Sequence, residues 1–209
     1  MKNDEVVNAF HDFYYKSGVW EQTKWMGHTI YKCPFDMWIY QEIFFEIKPD
    51  LIIETGTWQG GSALYMAQLL DLMNSNGKII TIDIEDFPNR PQHDRITYYK
   101  GSSVAEETIE MVANEAKKSK TVLVILDSDH SKDHVLKELE LYNQFVSDNS
   151  YLIVEDSNVN GHPTYPEFGP GPMESIDAFL ESNKNFKVDE SREKFFITFN
   201  PRGYLKKIA

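Results

Sequence analysis

From residue 51 onward the chain alternates short apolar runs with amphipathic segments, and nothing else in the sequence constrains the fold as strongly. Residues 51–53, 78–82, 96–99, 121–126 and 151–154 read as strands. Between them, Ala63, Met66, Ala67, Leu70 and Met73 recur at helical spacing, as do Val135, Leu136, Leu139 and Tyr142. Residues 104–118 place Glu106 and Glu107 first and Lys117 and Lys118 last, the order a helix dipole prefers. The run TVLVIL at 121–126 is apolar throughout, which suits a central strand covered on both faces. Strands separated by helices define an α/β fold with a largely parallel sheet. Upstream, Pro34 opens a helix expected to run to about Ile47, with Pro49-Asp50 ending it. The first 30 residues are rich in aromatics and are expected to form a helical cover, so residues 1–48 read as a cover and 49–209 as the ligand-binding domain. After a Gly/Pro-rich loop at 161–172, a short helix carries Met173, Ile176, Phe179 and Leu180. Segments 186–188 and 194–199 are then expected to close the sheet as an antiparallel pair.

In such folds ligands bind beyond the carboxyl ends of the strands, so the residues standing there carry the functional information. The first strand runs into Glu54-Thr55-Gly56-Thr57-Trp58-Gln59-Gly60-Gly61-Ser62. The spacing is G-x-x-x-G-G rather than G-x-G-x-x-G, and the lysine of a phosphate-binding P-loop is missing. A Gly-rich turn opened by an acid is the usual turn for S-adenosylmethionine, with Glu54, Gly56, Thr57, Gly60 and Ser62 as the expected contacts. Asp83 ends the second strand, where a carboxylate takes both ribose hydroxyls; Glu85 and Asp86 are substitutes. Ser102 and Ser103, after the third strand, are expected at the adenine edge.

The fourth strand ends in Asp127 and the fifth in Glu155-Asp156. Three converging carboxylates repel one another unless a cation joins them. A hard divalent ion such as Mg²⁺, which prefers oxygen ligands, resolves the conflict. Both Glu155 and Asp156 reach one ion only if the chain turns there, since strand neighbours point to opposite faces. Asp127 is expected to touch the cofactor as well as the metal.

Composition removes several classes of partner. Asp and Glu number 33 against 21 Lys and Arg, a formal charge of −12, which repels a nucleic-acid backbone. No apolar run approaches the ~18 residues of a membrane span, and the first residues lack the apolar core of a signal peptide. Cys33 is the single cysteine, which excludes an internal disulfide framework and agrees with a reducing cytoplasm.

Several segments, in order, resemble the cephalosporin hydroxylase / rhamnosyl O-methyltransferase family. They are Trp25-Met-Gly-His, Lys32-Cys-Pro-Phe-Asp36, IIETGTWQGGSALYMA (52–67), ILDSDHSKDHV (125–135), YLIVEDSNVNGHP (151–163) and GPGPMESIDAFL (169–180). The resemblance implies a Rossmann-like class I methyltransferase: a mostly parallel seven-stranded sheet flanked by helices, with an N-terminal helical extension. It also implies that the GTWQGG turn and Asp83 hold S-adenosylmethionine, and that Asp127, Glu155 and Asp156 carry Mg²⁺. His130 stands where related enzymes acting on macrolide sugars place a histidine proposed as base. The implied acceptor is a small-molecule hydroxyl, on a sugar or a polyhydroxylated natural product. His162 and Asn158, just beyond the acidic pair, are expected to line the substrate pocket, and a homo-oligomer is expected. Two other readings stay open: a hydroxylase or hydrolase using the same metal, and a non-catalytic S-adenosylmethionine-binding module. His134 is expected to face outward, His11 to lie on the surface and Cys33 to be a packed thiol; Trp20, Trp25 and Trp38 read as core or oligomer contacts.

Overall fold

The computed structural model describes residues 3–208. The N-terminal segment folds as α1 (Asn3–Lys16), a 3₁₀ turn (Val19–Gln22) and a hairpin of β1 (Lys24–Trp25) with β2 (His28–Thr29). The expected helical cover therefore contains a two-stranded element as well. α2 (Pro34–Ile47) has Pro34 in its first turn and stops where Lys48 turns left-handed and donates its N–H to Phe44 O. Then follow β3 (Leu51–Thr55), α3 (Gly61–Leu72), β4 (Lys78–Asp83), β5 (Ile96–Lys100), α4 (Glu106–Ala116) and β6 (Val122–Leu126). α5 (Lys132–Tyr142), β7 (Tyr151–Val154), α6 (Pro172–Ser182), β8 (Phe186–Val188) and β9 (Tyr204–Lys207) complete the chain.

Seven strands form one sheet in the order β5-β4-β3-β6-β7-β9-β8. β3 pairs in parallel with both β4 and β6, and β9 runs antiparallel between β7 and β8. Alternate residues of the strands supply two separate cores. Ile53, Ile80, Val124 and Val154 face Val112, Leu139, Tyr142, Ile176 and Phe179. Ile52, Ile79, Leu123 and Ile153 face Ile43, Phe44, Met66 and Leu70 of α2 and α3. Burial on both faces is what the unbroken apolar strands require.

One expected strand is corrected. Residues 194–199 form a turn and a loop, and β9 takes the sheet position instead. Asp36, in the first turn of α2, accepts the Phe199 N–H at 2.8 Å, bonds the Thr198 hydroxyl and accepts from Tyr204 Oη at 2.8 Å. Phe199 is also the hub of a ring cluster with His11, Tyr14, Tyr15 and Trp20. These anchors tie the segment to α1 and α2, so its backbone is not free to join a ladder.

The chain winds outward from β3 to β4 and β5, then crosses back to β6 and β7. That reversal opens a cleft between the ends of β3 and β6, the place where open α/β sheets bind ligands.

Candidate active site

The cleft is a cavity of about 680 Å³. Its floor is the turn after β3. Gly56 has φ +87°, and a Cβ there would lie 1.8 Å from the Asp127 carbonyl oxygen, so only glycine lets these two strand ends meet. Trp58 and Gly56 line the cavity, whereas Thr57 and Ser62 line a smaller neighbouring cavity of about 40 Å³. Glu54 and Gly60 line neither. Glu54 is fully buried in β3, where its Oε2 accepts from Thr81 Oγ1 at 2.6 Å and burial pushes its carboxyl up to about 7.

Asp83 borders the cavity from the end of β4. Its two oxygens accept from the backbone N–H groups of Trp58 (2.7 Å) and Glu85 (2.9 Å). Arg90 braces the same corner by donating to Trp58 O at 2.8 Å and Glu85 O at 3.0 Å. Ile84 and Phe87 add apolar surface beside Asp83. Further along, Ser103, Ser128 and His134 line the wall, while Ser102 does not. Ser128 Oγ donates to Glu138 Oε1 at 2.7 Å, and His134 Nε2 lies 3.2 Å from Ser103 Oγ. His134 thus turns into the cleft rather than outward.

The opposite end carries the acids. Asp127, His130 and Asp156 each offer one ligand atom, and these atoms lie within 4.8 Å of one another. Asp156 has φ +54°, which is the turn needed to swing its side chain to this point. His130 Nε2 stands 3.3 Å from Asp127 Oδ1 and 3.4 Å from Asp156 Oδ2. Burial alone works against a charged imidazole, but Asp156 and then Asp127 raise His130 to about 9.

Glu155, expected as a third metal carboxylate, lies outside that group. Its Oε1 accepts from Lys32 Nζ and Tyr40 Oη, each at 2.6 Å. Burial, and then the nearby Asp127 charge, push Glu155 up to about 8. Lys32 also donates to Asp127 Oδ2 at 2.5 Å. Burial disfavours its ammonium, yet Asp127 and Glu155 hold it well above the ordinary lysine range. Burial likewise opposes ionisation of Asp127, and Lys32 followed by His130 keeps it below the usual carboxylate range.

His162 and Asn158, expected at the acceptor end, lie off the cavity. His162 Nε2 pairs with Glu174 Oε1 at 2.9 Å and so pins the 161–172 loop to the start of α6. Asn158 is fully buried, with its Nδ2 3.0 Å from His11 Nε2. His11, expected on the surface, is therefore a buried ring stacked on Phe199. In their place an aromatic wall borders the acid end. Tyr31 and Trp58 lie with ring centroids 4.0 Å apart, and Trp20 meets Tyr31 edge-on at 5.6 Å. The sequence assigns no site role to Tyr31 or Arg90, and Lys32 stands there only as the first residue of a family-like segment. The unbalanced acids at 127, 155 and 156 were a signal that a buried cation had to stand nearby.

A seven-stranded sheet of this order, with one antiparallel strand and acid-tipped strands around the crossover, is the class I methyltransferase fold. The family model for Rhamnosyl O-methyltransferase/CmcI matches residues 17–208, and the chain belongs to that family. Rhamnosyl O-methyltransferases of Mycobacterium tuberculosis (strain ATCC 25618 / H37Rv) and Mycobacterium leprae (strain TN) are 41% and 39% identical to it. Each alignment covers 97% of this chain, and 85% and 90% of the relative. Among solved structures, the Mg–SAM form of CmcI superposes with a TM-score of 0.68 at 20% identity, covering 90% of this chain and 78% of that one.

Proposed function

We propose that this protein transfers a methyl group from S-adenosylmethionine to a sugar hydroxyl, with a divalent ion such as Mg²⁺ at the acid end of the cleft. The observation that carries the reading is the convergence of Asp127, His130 and Asp156 on the cavity floored by the Gly56 turn. Membership of the rhamnosyl O-methyltransferase family supports the sugar acceptor, and the Mg–SAM form of CmcI supports the cofactor pair.

The residues fit both groups. Asp127 and Asp156 offer converging carboxylate oxygens that suit a hard divalent ion, with water free to complete its shell, and His130 Nε2 stands beside them. The cavity between Asp83 and Ser103 has apolar flanks for a nucleoside and a carboxylate acceptor for its hydroxyls. A bound divalent ion supplies Lewis acidity, which lowers the pKa of a hydroxyl it touches. Asp127 and Asp156 would hold that ion. With those charges neutralised, His130 would lose the interactions that raise its pKa, and its Nε2 could accept the hydroxyl proton. Trp20, Tyr31 and Trp58 would stack on the acceptor and exclude water, and holding the oxygen in line with the methyl lowers the entropic part of the barrier. We further propose a cytoplasmic homo-oligomer: Cys33 has no second cysteine to pair with, and Phe10, Phe13 and Trp38 expose apolar rings.

The test is transfer of labelled methyl from S-adenosylmethionine to a panel of rhamnosides, with and without EDTA. Labelled O-methyl rhamnoside that disappears with EDTA and returns with Mg²⁺ is expected. Full transfer in a chelated sample overturns the metal dependence, and no transfer to any glycoside overturns the sugar acceptor.

A further inference from the structure

Lys32 stands among the acids of the site. Its residue is 6% exposed, between Ile30 at 2% and Cys33 at 1% across the linker from β2 to α2. The backbone N–H of Lys32 donates to Ile30 O at 2.8 Å, which fixes the start of the side chain. At the other end Nζ bridges Asp127 Oδ2 (2.5 Å) and Glu155 Oε1 (2.6 Å). A charge buried in this way is not screened as a surface pair is. The bridge also divides Asp127. Its Oδ2 is committed to Lys32, while Oδ1 faces His130 and the place where Asp127, His130 and Asp156 converge.

Resting on the metal-dependent reading above, we infer that Lys32 is the site's resident cation, a positioning residue that competes with the divalent ion for Asp127 and keeps that ion exchangeable. Two consequences follow from Coulomb's law. Without metal, the ammonium neutralises carboxylates that would otherwise repel one another, so the fold does not need the ion. With metal, a fixed positive charge on the far oxygen of Asp127 repels the incoming ion. At a separation of about 5 Å and an effective dielectric of about 20, one unit charge changes the affinity of an ion by more than tenfold.

The experiment compares the wild-type protein with Lys32→Met, which keeps the apolar stem and removes the charge, and with Lys32→Arg, which keeps the charge. Mn²⁺ affinity is read by calorimetry, and melting temperature is followed in EDTA and in excess Mn²⁺. Lys32→Met is expected to melt lower than wild type in EDTA, to bind Mn²⁺ at least about tenfold tighter, and to gain more melting temperature from Mn²⁺. Lys32→Arg is expected to bind Mn²⁺ with near wild-type affinity. A Lys32→Met protein that binds Mn²⁺ no tighter than a wild type that does bind it overturns this inference and leaves the metal-dependent reading standing. A wild type that binds no Mn²⁺ overturns that reading and the inference with it. If Lys32→Met does not fold in EDTA, refolding in excess Mn²⁺ supports the exchange of one cation for the other, and failure to refold there overturns it.

Discussion

At the end of β4, Asp83 is held mainly by backbone: the N–H groups of Trp58 and Glu85 donate to it, and Arg90, 3.6 Å from its carboxylate, ties the carbonyls of the same two residues together. At the ends of β6 and β7, Asp127, Glu155 and Asp156 are held by side chains, namely Lys32, Tyr40 and His130. The first corner is built by close approach of main chain, the second by balance of charge. The Asp83 end should therefore be intolerant of added volume, and the acid end intolerant of altered charge.

The sharpest way to break this contrast is to add a methyl group at the Gly56 turn, where the main chain of β3 passes between the two corners. Gly56→Ala places a Cβ 1.8 Å from the Asp127 carbonyl oxygen at a φ of +87°, so the strand ends must separate. We expect a loss of more than about 3 kcal/mol, read by urea unfolding; a variant within about 1 kcal/mol of wild type would show that the ends of β3 and β6 are not held by close packing. At the charge-built end, His130→Ala should slow methyl transfer by about 10²–10⁴-fold while affinity for S-adenosylhomocysteine changes little. A rate within a few-fold of wild type would move the base role to another group.

Smaller effects sharpen the comparison. Asp83→Ala should weaken cofactor binding by about 1.5–3 kcal/mol, the scale of a hydrogen bond to a charged group. Calorimetry showing unchanged affinity would take Asp83 out of the cofactor site and leave it as a brace for Trp58. The smallest effect concerns pH. Burial, opposed by Asp12, lowers His11 from 6.5 to about 4, so the folded protein resists a proton that the unfolded chain accepts. The stability tied to neutral His11 is complete above about pH 6.5 and is lost as the pH falls toward 4. That loss should be roughly 1–3 kcal/mol. His11→Gln keeps an acceptor for Asn158 and should flatten the slope of stability in that window; an unchanged slope would assign it to other groups.

The strands β3, β4, β6 and β7 were legible because burial on both faces leaves an unbroken apolar run, and their acidic ends followed from the same pattern. The 194–199 segment misled because its aromatic and β-branched residues carry strand propensity whether or not a ladder is available. Asp36, more than 150 residues upstream, claims that backbone instead. His134 and His130 were separated by an expectation about helix facing, yet both line the cleft. Helical period tells which residues share a face, not which face the neighbouring loops leave open.

What the sequence by itself determined was layering and placement: an α/β sheet, a glycine turn after its first parallel strand, and carboxylates at the ends of three others. Those are local properties, set by side-chain period and by the few residues that follow each strand. Only the tertiary structure decided how the carboxylates divide. Lys32 reaches Asp127 across 95 residues and Glu155 across 123, while the turn at Asp156 sends its side chain toward His130. Charge pairing acts through space rather than along the chain, so which cation meets which acid is settled when distant segments pack.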